Sequence, residues 1–170
     1  MPVSRRFLSE HDVVSGVVPL DFQTARTGDY VSLRNHRHLT VIIFKAAGTD
    51  GDDQTYTFNQ ATAVAGTGAK GLNVTEYMEK EGTLTSVTGW TRVTQTAAST
   101  IAPGDPNAQS QWIGVIEFDV SDLDADGGFD CVSVDNDGAG SNAQLGAILY
   151  ILSEPKYGGH PPNHPDPIVD

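Results

Sequence analysis

The chain of 170 residues holds a single cysteine, Cys131, and two methionines. Nowhere does it carry an apolar run near the roughly 20 residues that a bilayer span requires. One cysteine excludes an intrachain disulfide and fits assembly in a reducing cytoplasm. Flanked by Asp130 and Val132, it reads as a small buried strand residue, with nothing nearby to mark it as a nucleophile. Cations are scarce as well: ten Lys and Arg stand against 22 Asp and Glu, a net charge of -12. Binding a phosphate backbone needs concentrated Lys and Arg, so nucleic acid is not an expected partner. The opening MPVSRRFLSEHD has two arginines but no apolar stretch behind them and is not expected to be a secretory signal. Mean hydropathy of -0.25 is that of a soluble protein. The length fits one domain burying about 70% of its unfolded surface.

The few cations are unevenly spread. Residues 1–45 hold six of the ten (Arg5, Arg6, Arg26, Arg34, Arg37, Lys45) against four acids, a net of +2; residues 46–170 hold four against eighteen, a net of -14. Two readings fit: one end offered to a partner with an acidic bulk in solvent, or plain solubility charge.

What is present is β pattern. Short alternating runs occupy 13–22, 29–35, 55–62, 72–80, 88–96, 111–120, 129–136 and 144–153, and LTVIIFKAA (39–47) is apolar enough to predict a strand buried on both faces. Turn-rich segments separate them at 48–53, 65–71, 102–110 and 137–142. No stretch predicts a helix. Eight or nine strands in one domain predict an all-β, two-sheet sandwich of the jelly-roll kind, with strand order open and a barrel or another Greek key not excluded. The expected domain runs over 13–153, between an N-terminal arm (1–12) and a Pro-rich C-terminal arm (154–170). SEPKYGGHPPNHPDPIVD holds five prolines and cannot be sheet; its Ile168-Val169 pair would seek a groove on a neighbouring surface, as would Phe7 and Leu8 of the first arm.

The segment most suggestive of chemistry is DLDADGGFD. Asp122, Asp124 and Asp126 with Gly127 match positions 1, 3, 5 and 6 of an EF-hand-type calcium loop, but position 12 is Ser133, which cannot give a bidentate carboxylate. Strands rather than helices flank it, so it reads as a solvated acidic turn, with those three aspartates as the candidate ligands if a cation binds. Asp50, Asp52 and Asp53 form a second acidic turn. NHRH would place His36 and His38 on one face if extended, two ligands without a third. His11, His160 and His164 lie in the arms. There is no GxSxG elbow, and AGTGAKG is not a phosphate loop. No catalytic residue and no cofactor are expected.

In order and spacing, residues 48–74 (GTDGDDQTYTFNQATAVAGTGAKGLNV), 122–134 (DLDADGGFDCVSV) and 141–157 (SNAQLGAILYILSEPKY), with the terminal PxxIVD, resemble small tailed-bacteriophage virion proteins of the capsid decoration, or cement, type. The resemblance implies a non-enzymatic jelly-roll-like sandwich, homotrimeric, bound to the major capsid protein on the outside of the head, which it stabilises, after assembly in the host cytoplasm. It transfers no catalytic residues. Capsid or neighbour contacts would fall on Arg5, Arg6, Phe7, Leu8, Tyr157, Ile168 and Val169, although residues 1–12 match least well. A membrane is not among the implied partners. The alternative is a carbohydrate-binding sandwich module on a phage particle, with a calcium site at the acidic turn as one version of it, Trp90 and Trp112 as a sugar platform, and Trp112 also fitting a core position.

Overall fold

A computed structural model of the chain describes residues 7–86, 89–103, 109–156 and 167–168. A four-residue helical turn, α1 (Phe7–Glu10), leads into β1 (His11–Asp21). Then follow β2 (Val31–Ser32), β3 (His38–Lys45), β4 (Tyr56–Ala61), β5 (Lys70–Gly71), β6 (Val74–Gly82), β7 (Thr91–Ala98), β8 (Thr100–Ile101), β9 (Gln111–Asp119), β10 (Cys131–Asn136) and β11 (Leu145–Ser153). All pairings are antiparallel. One sheet has the order β1-β11-β3-β9-β6-β7 and the other β2-β10-β4-β5, with β8 also paired to β4.

Facing β1-β11-β3-β9 with β2-β10-β4-β5 is the jelly-roll arrangement, in which β1 to β4 alternate between the sheets and β9 to β11 do so again. The β6–β7 hairpin widens the first sheet beyond that frame. Because β1 and β7 end the first sheet, no closed barrel forms. The expected sandwich is therefore present, and the strand order that the sequence leaves open is the jelly-roll one.

Several expectations need correction. Residues 29–35 shrink to a two-residue strand, because the Ser32 hydroxyl accepts the Arg34 amide at 3.2 Å and turns the chain. Residues 65–71 are not all turn: Lys70–Gly71 pair with Asn59 and Gln60. β1 begins at His11, so the last two residues of the expected arm pair with Ser153 and Leu152. β3 is not buried on both faces. It alternates strictly, with Leu39, Val41, Ile43 and Lys45 inward and Phe44 51% exposed on the outer face.

The core lies between the sheets and is built around aromatic rings. Trp112 of β9 stacks on Tyr56 of β4, centroids 5.8 Å apart and 11° from parallel, and Tyr77 meets it edge-on at 6.4 Å. Phe22 packs edge-on to Tyr56, and Phe58 lies 5.8 Å from Phe118 across the sandwich. Backbone glycine makes this possible: a Cβ at Gly114 would come within 2.1 Å of the Trp112 ring, and one at Gly16 within 2.5 Å of Tyr150. Tyr150 of β11 also ties the sheets by a polar contact, its hydroxyl accepting the Val134 amide of β10 at 2.9 Å. Burial pushes that phenol well above its ordinary pKa. Cys131 is buried at the start of β10, the small strand residue expected.

Gly114→Ala is expected to destabilise the fold by about 1–3 kcal/mol, since the Trp112 ring has to leave its stack to admit one methyl. Urea unfolding followed by tryptophan fluorescence measures this directly. A variant as stable as the parent would show that the ring does not rest on this backbone.

Candidate interaction surface

The acidic turn closes on itself. After β9, Val120–Asp122 form one 3-10 turn, and the Asp122 carboxylate folds back to accept the Asp119 amide at 2.7 Å. Asp124 accepts the Gly127 amide at 3.0 Å and pairs with the Lys70 ammonium, which also sits 4.1 Å above the Phe129 ring. The Lys70 hydrogen bond, followed by that of Gly127, lowers the Asp124 pKa. Asp126 is exposed. The three candidate carboxylates thus serve three different neighbourhoods, and the cation beside Asp124 is a lysine. Among the described residues no group of three or more His, Cys, Asp or Glu is placed to hold a metal ion.

The other sequence candidates also separate. A turn at Arg34–Asn35 and a bend at Arg37 break the NHRH segment, which is not extended. His36 is buried in that turn, while His38 stands at the start of β3 beside Asp119 (3.0 Å) and Glu117 (3.6 Å). Partial burial works to lower the His38 pKa, and the two carboxylates outweigh it and raise it. In the second acidic turn Asp52 is buried as a loop clamp, accepting the Ser141 amide (3.3 Å), the Asn142 amide (2.9 Å) and the Asn142 side chain (2.7 Å). Trp112 belongs to the core and Trp90 is half exposed with Lys80 4.7 Å above its ring, so the two tryptophans make no common platform.

Among the described cations of residues 1–45, Arg26, Arg34 and Lys45 do not gather at one end. Arg34 pairs with Asp130 near the start of β10, whereas Arg26 donates to the Asp21 carbonyl at the far end of β1. Lys45 is buried between the sheets and donates to the Ser110 carbonyl at 2.7 Å. Desolvation lowers its pKa to about 8 against the pull of Glu81 and Asp53, and burial together with Glu79 raises that of Glu81. Glu79 in turn accepts the Trp112 indole N–H at 2.8 Å. The sequence carried a signal for this: Lys45 has the same strand parity as Leu39, Val41 and Ile43.

The surface that the sequence reading missed is the outer face of the six-stranded sheet. β1 from Val13 to Leu20, β11 from Leu145 to Leu152 and β3 from Leu39 to Phe44 hold no charged residue, in a chain of net charge -12. Val13, Phe44, Met78, Leu145 and Leu149 are exposed on the sandwich, Leu145 at 62%. Register aligns Leu149, Ile42 and Val115 in one row, and Ala147, Phe44 and Ile113 in the next. Large exposed apolar patches of this kind mark interaction sites. Near Leu145 the face deepens into an apolar groove of about 520 Å³, walled by Pro19, Phe44, Leu84, Leu145 and Ala147.

Of the expected contact residues, Phe7 and Leu8 are exposed on α1, at 54% and 49%. Ile168 is half exposed next to Pro167, whose carbonyl accepts the Ser32 amide at 2.7 Å. Arg5, Arg6, Tyr157 and Val169 lie outside the described residues.

No protein-family model matches the chain, and no curated protein matches it. Among solved structures, the SPBc2 prophage-derived protein YomS shares 15% identity at a TM-score of 0.42, over 84% of this chain and 93% of that one. The structure of infectious bursal disease virus Gt strain shares 10% at a TM-score of 0.27, over 86% of this chain and 42% of that one. At these identities and superpositions neither likeness bears on partner or activity.

Two measurements probe the buried and exposed charges. Lys45 binds its proton more tightly unfolded (ordinary pKa 10.5) than folded (about 8), so its contribution to stability rises with pH across that window. Between pH 8 and 10 the parent chain is expected to gain about 2 kcal/mol relative to Lys45→Met in chemical unfolding, and equal slopes would show that the ammonium is solvated. At the acidic turn, millimolar calcium is expected to leave the melting temperature unchanged in the parent and in Asp124→Asn alike. A calcium-induced rise that Asp124→Asn abolishes would make the turn a metal clip.

Proposed function

We propose that the chain is a non-enzymatic structural protein of a tailed-phage particle, which binds the outer surface of the icosahedral head as a homotrimer and stabilises the major capsid protein lattice. The observation that carries this reading is the uncharged, exposed β1-β11-β3 part of the outer face of the six-stranded sheet, on an otherwise strongly acidic sandwich. A protein working alone in solvent gains nothing from leaving Phe44, Leu145 and Leu149 uncovered, and about 25 cal/mol is gained per Å² of apolar surface removed from water. The resemblance of residues 48–74, 122–134 and 141–157 to decoration proteins supports the same reading. So does the charge, because an acidic exterior suits the outside of a particle packed with DNA better than its inside.

Assembled, expanded heads stripped of this protein are the test. Added back, the chain is expected to co-sediment with the heads at a fixed stoichiometry and to raise their dissociation temperature by several degrees. Heads that neither bind it nor gain stability would sink the proposal.

A further inference from the structure

We propose that the gap between β6 and β9 is a docking site for an extended peptide segment that carries lysine or arginine. The inference goes beyond the capsid reading and does not depend on it.

The six-stranded sheet forks here. β6 pairs with β9 from Gly82 and Gln111 to Met78 and Val115, and there the ladder stops. β9 continues to Asp119 with β3 on its other side, and β6 reaches back to Val74 with β7 on its other side. Residues 74–77 and 116–119 therefore form two strand edges, each ~13 Å long, that share no ladder. Two causes hold them apart. Continuing the register would set Glu76 directly against Glu117, and like charges opposite each other destabilise a ladder. Just before β6, the Leu72 amide donates to the Phe58 carbonyl at 2.9 Å, which draws the chain toward the other sheet.

The main chain in the gap is turned to receive a strand. The Val120 amide donates to the Arg37 carbonyl and the Asp119 amide to the Asp122 carboxylate. The alternation of β9 thus points the polar groups of Phe118 at β3 and those of Glu117 away from it, into the gap. Val115 has the parity of Glu117 and pairs with Met78, so Glu76, two residues before Met78, turns its N–H and C=O the same way. An inserted strand meets a donor and an acceptor on each wall, which is the basis of strand addition at an exposed sheet edge.

The side chains decide what the strand carries. The gap holds about 290 Å³; Glu76, Glu117 and Asp122 line it, and no lysine or arginine does. Cations stand around it. Arg92 pairs with Glu76, His38 lies 3.6 Å from Glu117 and 3.0 Å from Asp119, and Lys70 is held by Asp124. Five carboxylates thus surround the gap against three cations. Glu76 and Glu117 remain more than half exposed, and exposed pairs of this kind are weak enough to exchange for a new cation. Among the described residues no three acids or histidines converge as a metal site, so the charge suits a chain running along the gap and not an ion. Beneath it Val74, Ile116 and Phe118 form an apolar floor. A peptide that alternates a cation with an apolar residue answers both sides, the cations toward Glu76 and Glu117 and the apolar groups toward the floor.

Nuclear magnetic resonance titration of the full chain tests the site, with an acetylated Val-Lys-Val-Lys-Val peptide as the probe. The peptide is expected to bind at physiological salt and to shift the amide signals of Glu76 and Glu117 most. Glu117→Lys, a change at an exposed side chain, is expected to weaken binding at least about tenfold, with circular dichroism melting confirming that the variant is folded. The same peptide methylated on its lysine nitrogens keeps the charge, loses main-chain donors and is expected to bind as weakly. Four results would each overturn the inference: no binding of the lysine peptide, equal binding of the methylated one through charge alone, a Glu117→Lys variant that binds like the parent, or shifts gathered on the β1-β11-β3 face instead. None of them touches head binding, so the capsid reading stands or falls separately.

Discussion

The sandwich is organised by one contact, the stack of Trp112 on Tyr56 across the gap between the sheets. Everything around it has a shape set by that indole. Gly114 gives the ring room on its own strand, Tyr77 and Phe22 close the aromatic layer edge-on, and Glu79 takes the indole N–H. Because Glu79 lies on β6, the same ring that joins the two sheets also anchors the hairpin that widens one of them. A buried indole N–H without an acceptor costs on the order of 1–3 kcal/mol, so the carboxylate beside it is part of the core and not an ornament of the surface. That carboxylate in turn contributes to raising the pKa of Glu81, and Glu81 pulls on the buried Lys45. The polar cluster under one end of the sandwich follows from the choice of tryptophan at 112.

How much of this was legible in the sequence depends on what the residues report. Period-two alternation, turn residues and the lack of helical spacing are local, and they suffice to predict an all-β sandwich with nearly every long strand in place. Strand order is not local. The pairing of β1 with β11, joining residues near both ends of the chain, depends on contacts that no segment advertises by itself. The two-residue strands β5 and β8 failed to register because a pair of residues has no period. The acidic turn shows a different limit. Its D-x-D-x-D-G spacing is real, yet spacing does not say which way a carboxylate faces, and Lys70, a residue more than fifty positions away, takes the place beside Asp124 that the motif would give to a cation.

Burial on both faces was the more instructive error. β3 carries apolar residues on both sides, which reads as a strand sandwiched between two layers, and β9 and β11 beside it are apolar on both sides as well. The structure supplies one layer, and the other side is left to Phe44, Leu145 and Leu149. The sequence pattern is not at fault. It is this mismatch between pattern and exposure on which the proposed docking face rests. On a chain of net charge -12, a broad area with no charge is also where another body approaches with the least electrostatic penalty.

The two arms, alike in sequence, part company here. Each offers an apolar pair next to prolines or arginines, and each was expected to seek a groove elsewhere. At the C-terminal end, Pro167 is buried and its carbonyl accepts the Ser32 amide at the margin of β2, so that segment serves its own sandwich by covering a strand edge that would otherwise stand open. β2 is short enough to need this, since the Ser32 hydroxyl ends it after two residues. At the N-terminal end the arrangement differs, because β1 pairs on one side only and its other side is an open edge of the six-stranded sheet. β1 is already paired along its length with β11, and α1 projects beyond the last pair, His11 with Ser153. The turn packs the Phe7 ring on His11 and leaves Phe7 and Leu8 exposed at the end of that edge.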